Sequence, residues 1–281
     1  SAQAQPRAWH ARLQRCACAE AGAEAAGGVA DGGVLGTRSF TPARSWAEDD
    51  ADVAVRVSAA AQALLEAAPP GAEAAAADEA LLLWYLRDRK GDTDAAVKKL
   101  CRALEWRATA PEWTSVGDEA VAREDATGKV ALLDGTRDAL GRPVLLVRVS
   151  RHVVAERDID ASKALSARAI EAAVDACDEQ AGVEQFLGVF DMRGFRASGD
   201  KSNADFAFVK FMVKLLFDYF PRRVGRVLLV GAPLGFGPVW AVVRPWLGSY
   251  GELVRFVKPH EIRQYFSTDE DVPEELSDMM R

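Results

Sequence analysis

Three histidines and one aspartate are the residues best suited to acid–base or metal chemistry in this sequence. His10, His152 and His260 do not fall in an H-E-x-x-H motif or in a zinc-ligand spacing. Asp191 follows an apolar run, where catalytic acids often lie, but bonding to loop backbone is the more ordinary role for such a residue. The sequence contains no G-x-S-x-G elbow, Walker A loop or G-x-G-x-x-G fingerprint. We therefore predict that the protein is not an enzyme.

The four cysteines give little support for a metal site or a disulfide framework. Cys16 and Cys18 could together touch a metal, with His10 as the nearest additional ligand. No repeated C-x-x-C is present, and Cys101 and Cys177 fall in helical patterns. We expect free thiols in a reducing compartment and no bound metal.

The composition is that of a globular chain rather than a nucleic-acid-binding or membrane-spanning one. Of 281 residues, 49% are hydrophobic and 27% are charged, which suffices for a full hydrophobic core. The formal net charge of −7 disfavours an electrostatic grip on nucleic acid, so no nucleic-acid partner is expected. No run reaches 18 consecutive apolar residues, which predicts a soluble protein without a transmembrane helix.

The first segment, residues 1–51, is an N-terminal extension rich in Ala, Gly and Arg. Arginines outnumber acidic residues up to residue 47, and paired glycines interrupt any helix. Such a composition is typical of organelle-targeting leaders, so a plastid or mitochondrion is one expectation and the cytoplasm the alternative. Residues 1–50 are also where we expect protein partners to bind, although a disordered tail without special role is equally consistent.

Residues 52–112 are predicted to form a small helical unit. The pattern indicates helices from Val53 to Ala68, Glu73 to Lys90 and Ala95 to Thr109. Gly91 suits the position after the second helix, and apolar stripes on the second and third helices predict that they pack as a hairpin.

Residues 113–281 alternate between strand and helix patterns, which predicts an α/β domain with a mixed or mostly parallel sheet. Helices are expected at about 160–180 and 202–220, with a last short one at 261–266. Short β-branched and aliphatic runs predict strands at Val130–Leu133, Val144–Val149, Phe186–Phe190, Arg226–Val230 and Val254–Val257.

An apolar helix on a glycine hinge is the most distinctive local pattern. Pro238 fits the first turn of a helix that runs to Leu247 and carries a single charge, Arg244. Gly235 and Gly237 precede it and give permissive backbone, so both are hinge candidates. A helix of this kind is either a core helix or a movable cover over an apolar cavity.

Several segments, in order and spacing, resemble the CRAL-TRIO family of lipid-binding domains. Leu83 to Asp92 is similar to the family's "L-x-R-F-L-R-A-R-K-F-D", and Leu104 to Arg107 to the following "L-x-W-R". Asp138–Val144 resembles "D-x-x-G-R-P-V", Phe190–Gly194 resembles "x-D-L-x-G" and Tyr219–Arg223 resembles "Y-P-E-R". Gly231–Leu247 follows "N-A-P-x-x-F", a later aromatic residue and "K-P-F-L", and Val272–Leu276 resembles "L-P-x-E". The resemblance covers roughly residues 52–276.

This resemblance implies a mixed sheet with packed helices that forms the floor of an apolar cavity, closed by a gate helix at Pro238 to Leu247. It implies a bound lipid as the only cofactor-like group and a transient contact with membrane surfaces. The lipid-binding candidates are apolar residues of the third strand, the helix after it and the gate: Phe190, Met192, Phe206, Val209, Met212, Leu216, Phe236, Trp240, Val243 and Leu247.

The headgroup residues of phosphoinositide-binding family members are not reproduced here. Arg222 stands at the glutamate position of "Y-P-E-R", and the segment after Leu247 lacks the family's Thr and Lys. Arg222 and Arg223 are nevertheless the candidates to meet an anionic headgroup, with a solvated turn as the ordinary alternative.

Two functions from different classes remain open at this point. The first is non-enzymatic binding or transfer of a hydrophobic ligand, a lipid, beneath the gate. The second is a structural accessory subunit of a larger, organellar complex that reuses the fold as a scaffold. A carrier requires room beneath Trp240 and Val243, whereas a scaffold fills that space with side chains such as Phe206, Met212 and Phe236.

Overall fold

The computed structural model describes residues 50–109, 116–178, 181–268 and 270–280. The N-terminal extension up to residue 49, with His10, Cys16 and Cys18, lies outside the described residues, as do the predictions made for it. No helix in the described part of the chain combines the length and the apolarity needed to cross a membrane.

Four helices make up the N-terminal helical unit: α1 Asp50–Ala67, α2 Ala72–Ala76, α3 Glu79–Asp88 and α4 Thr93–Thr109. The sequence pattern predicts one helix where α2 and α3 lie, and this prediction is wrong because Asp78 starts a new helix by accepting the backbone N–H of Leu81 at 2.9 Å. Gly91, at φ +81°, follows α3 as expected and lets its N–H return to the carbonyl of Leu86.

A five-stranded sheet carries the rest of the chain, in the order β1-β2-β3-β4-β5. Strand β1 pairs antiparallel with β2, and β2 to β5 run parallel to one another. The strands fall where the apolar runs predict them: β1 Val130–Arg137, β2 Pro143–Arg148, β3 Phe186–Asp191, β4 Val224–Val230 and β5 Val254–Val257.

Helix α5, Asp118–Ala126, is not predicted by the sequence pattern. Helix α6, Ile159–Asp175, is predicted but ends earlier than expected. The helix expected at 202–220 starts later, because Asp205 caps its first turn, and divides into α7 Phe206–Lys214 and a π-helical turn, Leu215–Tyr219. The predicted gate helix is α8, Gly237–Leu247, and α9 is Glu274–Met280. Short 3₁₀ turns occupy Val149–Arg151, Leu234–Phe236, Gly248–Leu253 and Pro259–Tyr265.

The two faces of the sheet are covered in different ways. The first face packs against the helical crossovers, including α6 and the gate helix, through residues such as Leu145, Phe186 and Leu229. The second face is closed by the C-terminal segment, whose Ile262, Phe266, Val272 and Leu276 pack on the strands; its core residues are Leu133, Val144, Leu146, Leu187, Val189, Leu228, Val230 and Val257.

The helical unit is attached to the sheet domain by one shared core. Leu64, Leu82, Leu86 and Leu100 belong to the same buried cluster as Tyr219, Phe220 and Val224 at the start of β4. The rings of Trp106 and Tyr219 stack at 3.7 Å. Helix α4 and the π-helical turn after α7 are therefore packed against each other.

The start of β4 passes closely beneath a buried ion pair, which fixes the identity of Gly225. Arg142 is held by Asp138, to which its Nε donates at 2.7 Å. A Cβ atom at Gly225 would lie 2.6 Å from Arg142 Nη1 and 2.9 Å from Gln185 Oε1. Because both neighbours are buried and held by other bonds, neither side chain has free space to move into.

We predict that Gly225→Ala lowers the free energy of unfolding by about 1–3 kcal/mol, the usual cost of forcing extra volume into a closed site. Gly235→Ala is the matched control, because a Cβ atom there meets nothing within 4 Å and the expected change is below about 0.5 kcal/mol. Urea unfolding of the three proteins provides the measurement. Equal stabilities of the two variants would contradict this account of Gly225.

Candidate functional site

The gate helix lies on the first face of the sheet with an inner and an outer side. Its adjacent valines show this, because Val243 is 8% exposed and Val242 is 46% exposed. Leu247 is also buried, as a residue directed toward the protein must be. The fully exposed Leu234 projects from the turn that precedes the helix. An apolar helix that leaves one apolar side exposed is not an ordinary core helix.

Beneath the amino-terminal half of the gate helix is a small aromatic cluster. Met192, Leu229 and Phe236 are its buried members, and Phe190 and Trp240 pack against them while remaining half-buried. The ring of Phe236 meets Phe195 edge-on at 5.2 Å, and Trp240 meets Phe256 edge-on at 5.2 Å. The structure thus brings together four of the predicted lipid-binding residues: Phe190, Met192, Phe236 and Trp240.

Helix α7 lines the opposite side of the gate helix and is apolar but poorly covered. None of its nine residues, all of which the structure describes, is buried. Phe206 is 40% exposed and meets Trp246 of the gate helix edge-on at 6.2 Å. Val209 and Met212 are half-buried, and so is Leu216 in the π-helical turn. Its apolar residues are therefore available to a further apolar partner.

The strands under these helices show the same incomplete cover. Val147, Phe190, Val227 and Val254 of the first face are half-buried and Phe256 is 52% exposed. The core residues that the strands place on the second face, by contrast, are 7% exposed or less. The first face of the sheet, Gly237–Leu247 and α7 therefore leave apolar side chains incompletely covered where they meet, a region called the cleft below.

A cavity of about 460 Å³ opens at the carboxyl-terminal end of the gate helix. Its walls combine apolar residues of the gate helix with a charged floor from the helical unit and the turn before β4. Four cations and two carboxylates line it, so its charge is positive; the lining is Asp88, Arg89, Lys90, Lys99, Phe217, Asp218, Arg222, Pro245, Trp246, Leu247, Gly248, Tyr250 and Leu253.

The two predicted headgroup residues are placed differently. Arg222 has φ +60° and lies in the wall of this cavity, with its Nε 3.5 Å from Asp88 Oδ1. Arg223 turns away and stacks 4.2 Å above the ring of Trp84 while donating to the carbonyl of Glu184. Only Arg222 is therefore positioned to meet an anionic group in the cavity.

The glycines around the gate helix have different conformations. Gly235 and Gly237, the predicted hinges, both have negative φ and open space around them, and their hinge role stays a prediction. Gly248, at φ +52° and ψ −131°, ends the gate helix in a conformation that side chains disfavour. The sequence signal for Gly248 was its place directly after the apolar run.

A polar cluster at the start of α7 fixes this helix relative to β2. Asp205 caps α7 by accepting the N–H of Phe208, and Arg157 Nε donates to it at 2.5 Å. His152 Nε2 lies 3.4 Å from the same carboxylate, and its ring stacks on Phe208 at 4.6 Å. The sequence predicts a surface or packing role for His152, and the structure shows the packing role, since its side chain is buried against Phe208 and Asp205.

Asp191 and the two cysteines that the structure describes, Cys101 and Cys177, have ordinary structural contacts. Asp191 accepts bonds from the backbone N–H and the Nε of Arg193, at 3.0 and 2.9 Å, and so orders its own loop. Neither Cys101 nor Cys177 is in a disulfide, and the thiol of Cys177 donates to the carbonyl of Ala173 at 3.4 Å. Among the described residues, no three His, Cys, Asp or Glu side chains converge on a point where a metal ion could bind.

The mixed five-stranded sheet with its packed helices agrees with the CRAL-TRIO fold expected from the sequence, and comparison with known proteins gives the same assignment. Residues 126–277 match the CRAL/TRIO domain family, which is more than half of the chain. The protein belongs to the CRAL-TRIO family.

The similar curated proteins include transfer proteins from fungi and animals. The chain is 29% identical over 206 residues to phosphatidylinositol transfer protein CSR1 of Eremothecium gossypii, covering 70% of this chain and 46% of that protein. It is 27% identical over 171 residues to the human alpha-tocopherol transfer protein-like, covering 60% of this chain and 49% of that protein. The chain thus spans about half the length of these relatives.

The solved structures include a match to Sfh5. Its TM-score is 0.52 at 14% identity, with 63% of each chain covered. At this identity the likeness shows the shared fold. The family assignment therefore rests on the sequence match, and the shared architecture on the structural one.

We predict that protonation of His152 makes the folded protein less stable at acidic pH. Burial lowers the pKa of His152, and nearby Lys129 adds to this, while Asp205 partly opposes it. Because the unfolded chain then takes up a proton at higher pH than the folded one, stability falls as the pH drops below the ordinary histidine pKa of about 6.5.

Thermal unfolding of wild type, His152→Gln and the exposed-site control His260→Gln at about pH 7.5 and about pH 5.5 tests this. The fall in midpoint should shrink in His152→Gln and persist in His260→Gln. The same fall in all three proteins would show that His152 does not carry the effect.

Proposed function

We propose that this protein binds a lipid in the cleft between the gate helix, α7 and the first face of the sheet, and transfers it between membranes without catalysis. The observation that carries the proposal is an apolar helix, α7, with no buried residue, facing strands that are only half covered. Membership of the CRAL-TRIO family and the similarity to proteins named as lipid transfer proteins support the same function.

The chemistry of the cleft suits a ligand held by apolar contact. Burying one methylene contributes about 0.8 kcal/mol, so an acyl or prenyl chain can bind tightly without polar groups. The half-buried Val209, Met212, Leu216 and Trp240 would gain that contact from the ligand. The gate helix supplies the cover, and its displacement would let the chain enter and leave.

A headgroup would lie in the charged cavity at the end of the gate helix. Trp246 and Leu247 form its apolar wall, and Arg222 and Lys99 form part of its cationic wall. A phospholipid is thus the ligand class that fits both parts, with its chains in the cleft and its phosphate near Arg222. Arg222 replaces the family's glutamate, so we do not assign inositol selectivity.

Membrane contact is the second part of this proposal. Leu234, Val242 and Phe206 present apolar side chains to solvent on or beside the gate helix. Arg244 and Lys210 are exposed on the gate helix and on α7. Apolar side chains flanked by cations favour transient adsorption to an anionic bilayer, where the gate could open.

A role as an accessory subunit of a larger complex is the second candidate. Met192 and Phe236 already fill part of the space beneath the gate helix, as a scaffold requires. The exposed Phe206 and the half-buried Met212 do not fill the remainder. The Arg-rich composition of residues 1–47 supports an organellar location for either role, with protein partners bound through this extension.

Organic extraction of the protein purified from its native source, followed by mass spectrometry, tests the proposal directly. We expect about one lipid per protein chain. A protein that contains no lipid and acquires none from vesicles of phosphatidylcholine and phosphatidylinositol would rule out the carrier role and leave the scaffold.

The adjacent valines of the gate helix provide a matched pair of variants. Val243→Asp would place a carboxylate on the buried side and lower lipid retention about tenfold or more, because an unpaired charge in an apolar site is costly. Val242→Asp would leave retention unchanged, since this side chain faces solvent, and would slow transfer from anionic vesicles. Equal retention in both variants would contradict the assignment of the cleft.

Arg222→Gln is expected to weaken retention of phosphatidic acid about fivefold relative to phosphatidylcholine, the size of one partly screened charge pair. Arg223→Gln serves as its control, because Arg223 stacks on Trp84 outside the cavity wall. Competition between the two lipids for the delipidated protein gives the ratio. A ratio that changes in Arg223→Gln and not in Arg222→Gln would place the phosphate elsewhere.

A further inference from the structure

Asp88 is a buried carboxylate that joins three separate parts of the chain. It lies at the end of α3 with its side chain 4% exposed. Lys99 Nζ of α4 approaches its Oδ2 at 2.6 Å, and Arg222 Nε of the turn before β4 approaches its Oδ1 at 3.5 Å. The hydroxyl of Tyr250 donates to Oδ1 at 2.7 Å from 162 residues further along the chain.

Tyr250 belongs to the 3₁₀ turn that directly follows the gate helix. Two residues, Gly248 and Ser249, separate it from the last residue of that helix. Its ring stacks on Phe217 at 3.9 Å, which orients the hydroxyl toward Asp88. The 3₁₀ turn that follows the gate helix is thus held to the helical unit by the hydrogen bond of Tyr250 and by the buried side chain of Leu253.

The electrostatics keep this bond in its donating form. Burial and the neighbouring Asp88 raise the pKa of Tyr250, so its hydroxyl stays protonated and donates to the carboxylate. Burial lowers the pKa of Lys99, while the ion pair with Asp88 opposes that change. The carboxylate is surrounded by donors, and a hydrogen bond to a buried charge is among the stronger ones in proteins.

We propose that Asp88 and Tyr250 form a latch that holds the gate helix closed against the helical unit. The inference rests on the proposed function only in taking the gate helix as the element that moves. Because so short a connector joins the gate helix to Tyr250, displacement of this end of the helix by several ångströms breaks the bond between Tyr250 and Asp88. The latch sets how often the gate opens, while the apolar cleft sets what binds.

Hydrogen–deuterium exchange of the ligand-free protein measures gate opening without any lipid. Tyr250→Phe removes the hydroxyl and keeps the stack on Phe217. We expect amides of the gate helix to exchange about tenfold faster in this variant, the effect of losing one bond to a charged acceptor. Tyr265→Phe is the control, because Tyr265 packs in the cluster on the second face of the sheet.

Faster exchange confined to the gate helix and its 3₁₀ turn supports the latch. Exchange at the wild-type rate in the gate helix, or a uniform rise that includes β3 and β4, overturns it. Transfer of a fluorescent phosphatidylcholine between vesicles is the second measurement, with faster release expected for Tyr250→Phe. If none of the three proteins transfers lipid and Tyr250→Phe still shows faster exchange at the gate, the proposed function is refuted and the latch stands.

Discussion

The parallel pairing of β2 to β5 is the constraint on which the rest of the structure depends. Parallel neighbours need long crossovers, and crossovers of one hand between strands in sequential order lie on one face of the sheet. Helix α6, α7 and the gate helix must therefore share the first face, while the C-terminal segment closes the second. The topology thus places the fully covered core on the second face of the sheet and the partly covered apolar residues on the first face.

The fold was predictable from the sequence where a signal is local. Buried parallel strands appear as short apolar runs, such as Arg226–Val230, and the sequence pattern predicts all five strands of the sheet. The break between α2 and α3 was missed, since the capping bond of Asp78 lies inside an otherwise continuous helical pattern. Helix α5 was missed because its mostly charged sequence carries no apolar stripe.

The candidate site was predictable in part. The apolar residues of the cleft were identified because a glycine-flanked apolar helix and a highly apolar helix are visible patterns in sequence. The contact of Asp88 with Tyr250 was not, because it joins residues far apart in the chain, and the motif that contains Asp88 does not indicate its partner. The different directions of Arg222 and Arg223 were also hidden, since they depend on one positive φ angle.

The π-helical turn at Leu215–Tyr219 determines which way two parts of one helix face. A π-helical turn amounts to one residue more than an α-helix of the same length would hold, and each residue turns the following side chains by about 100°. Upstream of it Phe206 meets the gate helix, and its last residue, Tyr219, stacks on Trp106. Deleting one residue here would keep α7 but turn Tyr219 by about 100° relative to Phe206, so this helix tolerates substitution better than a change in length.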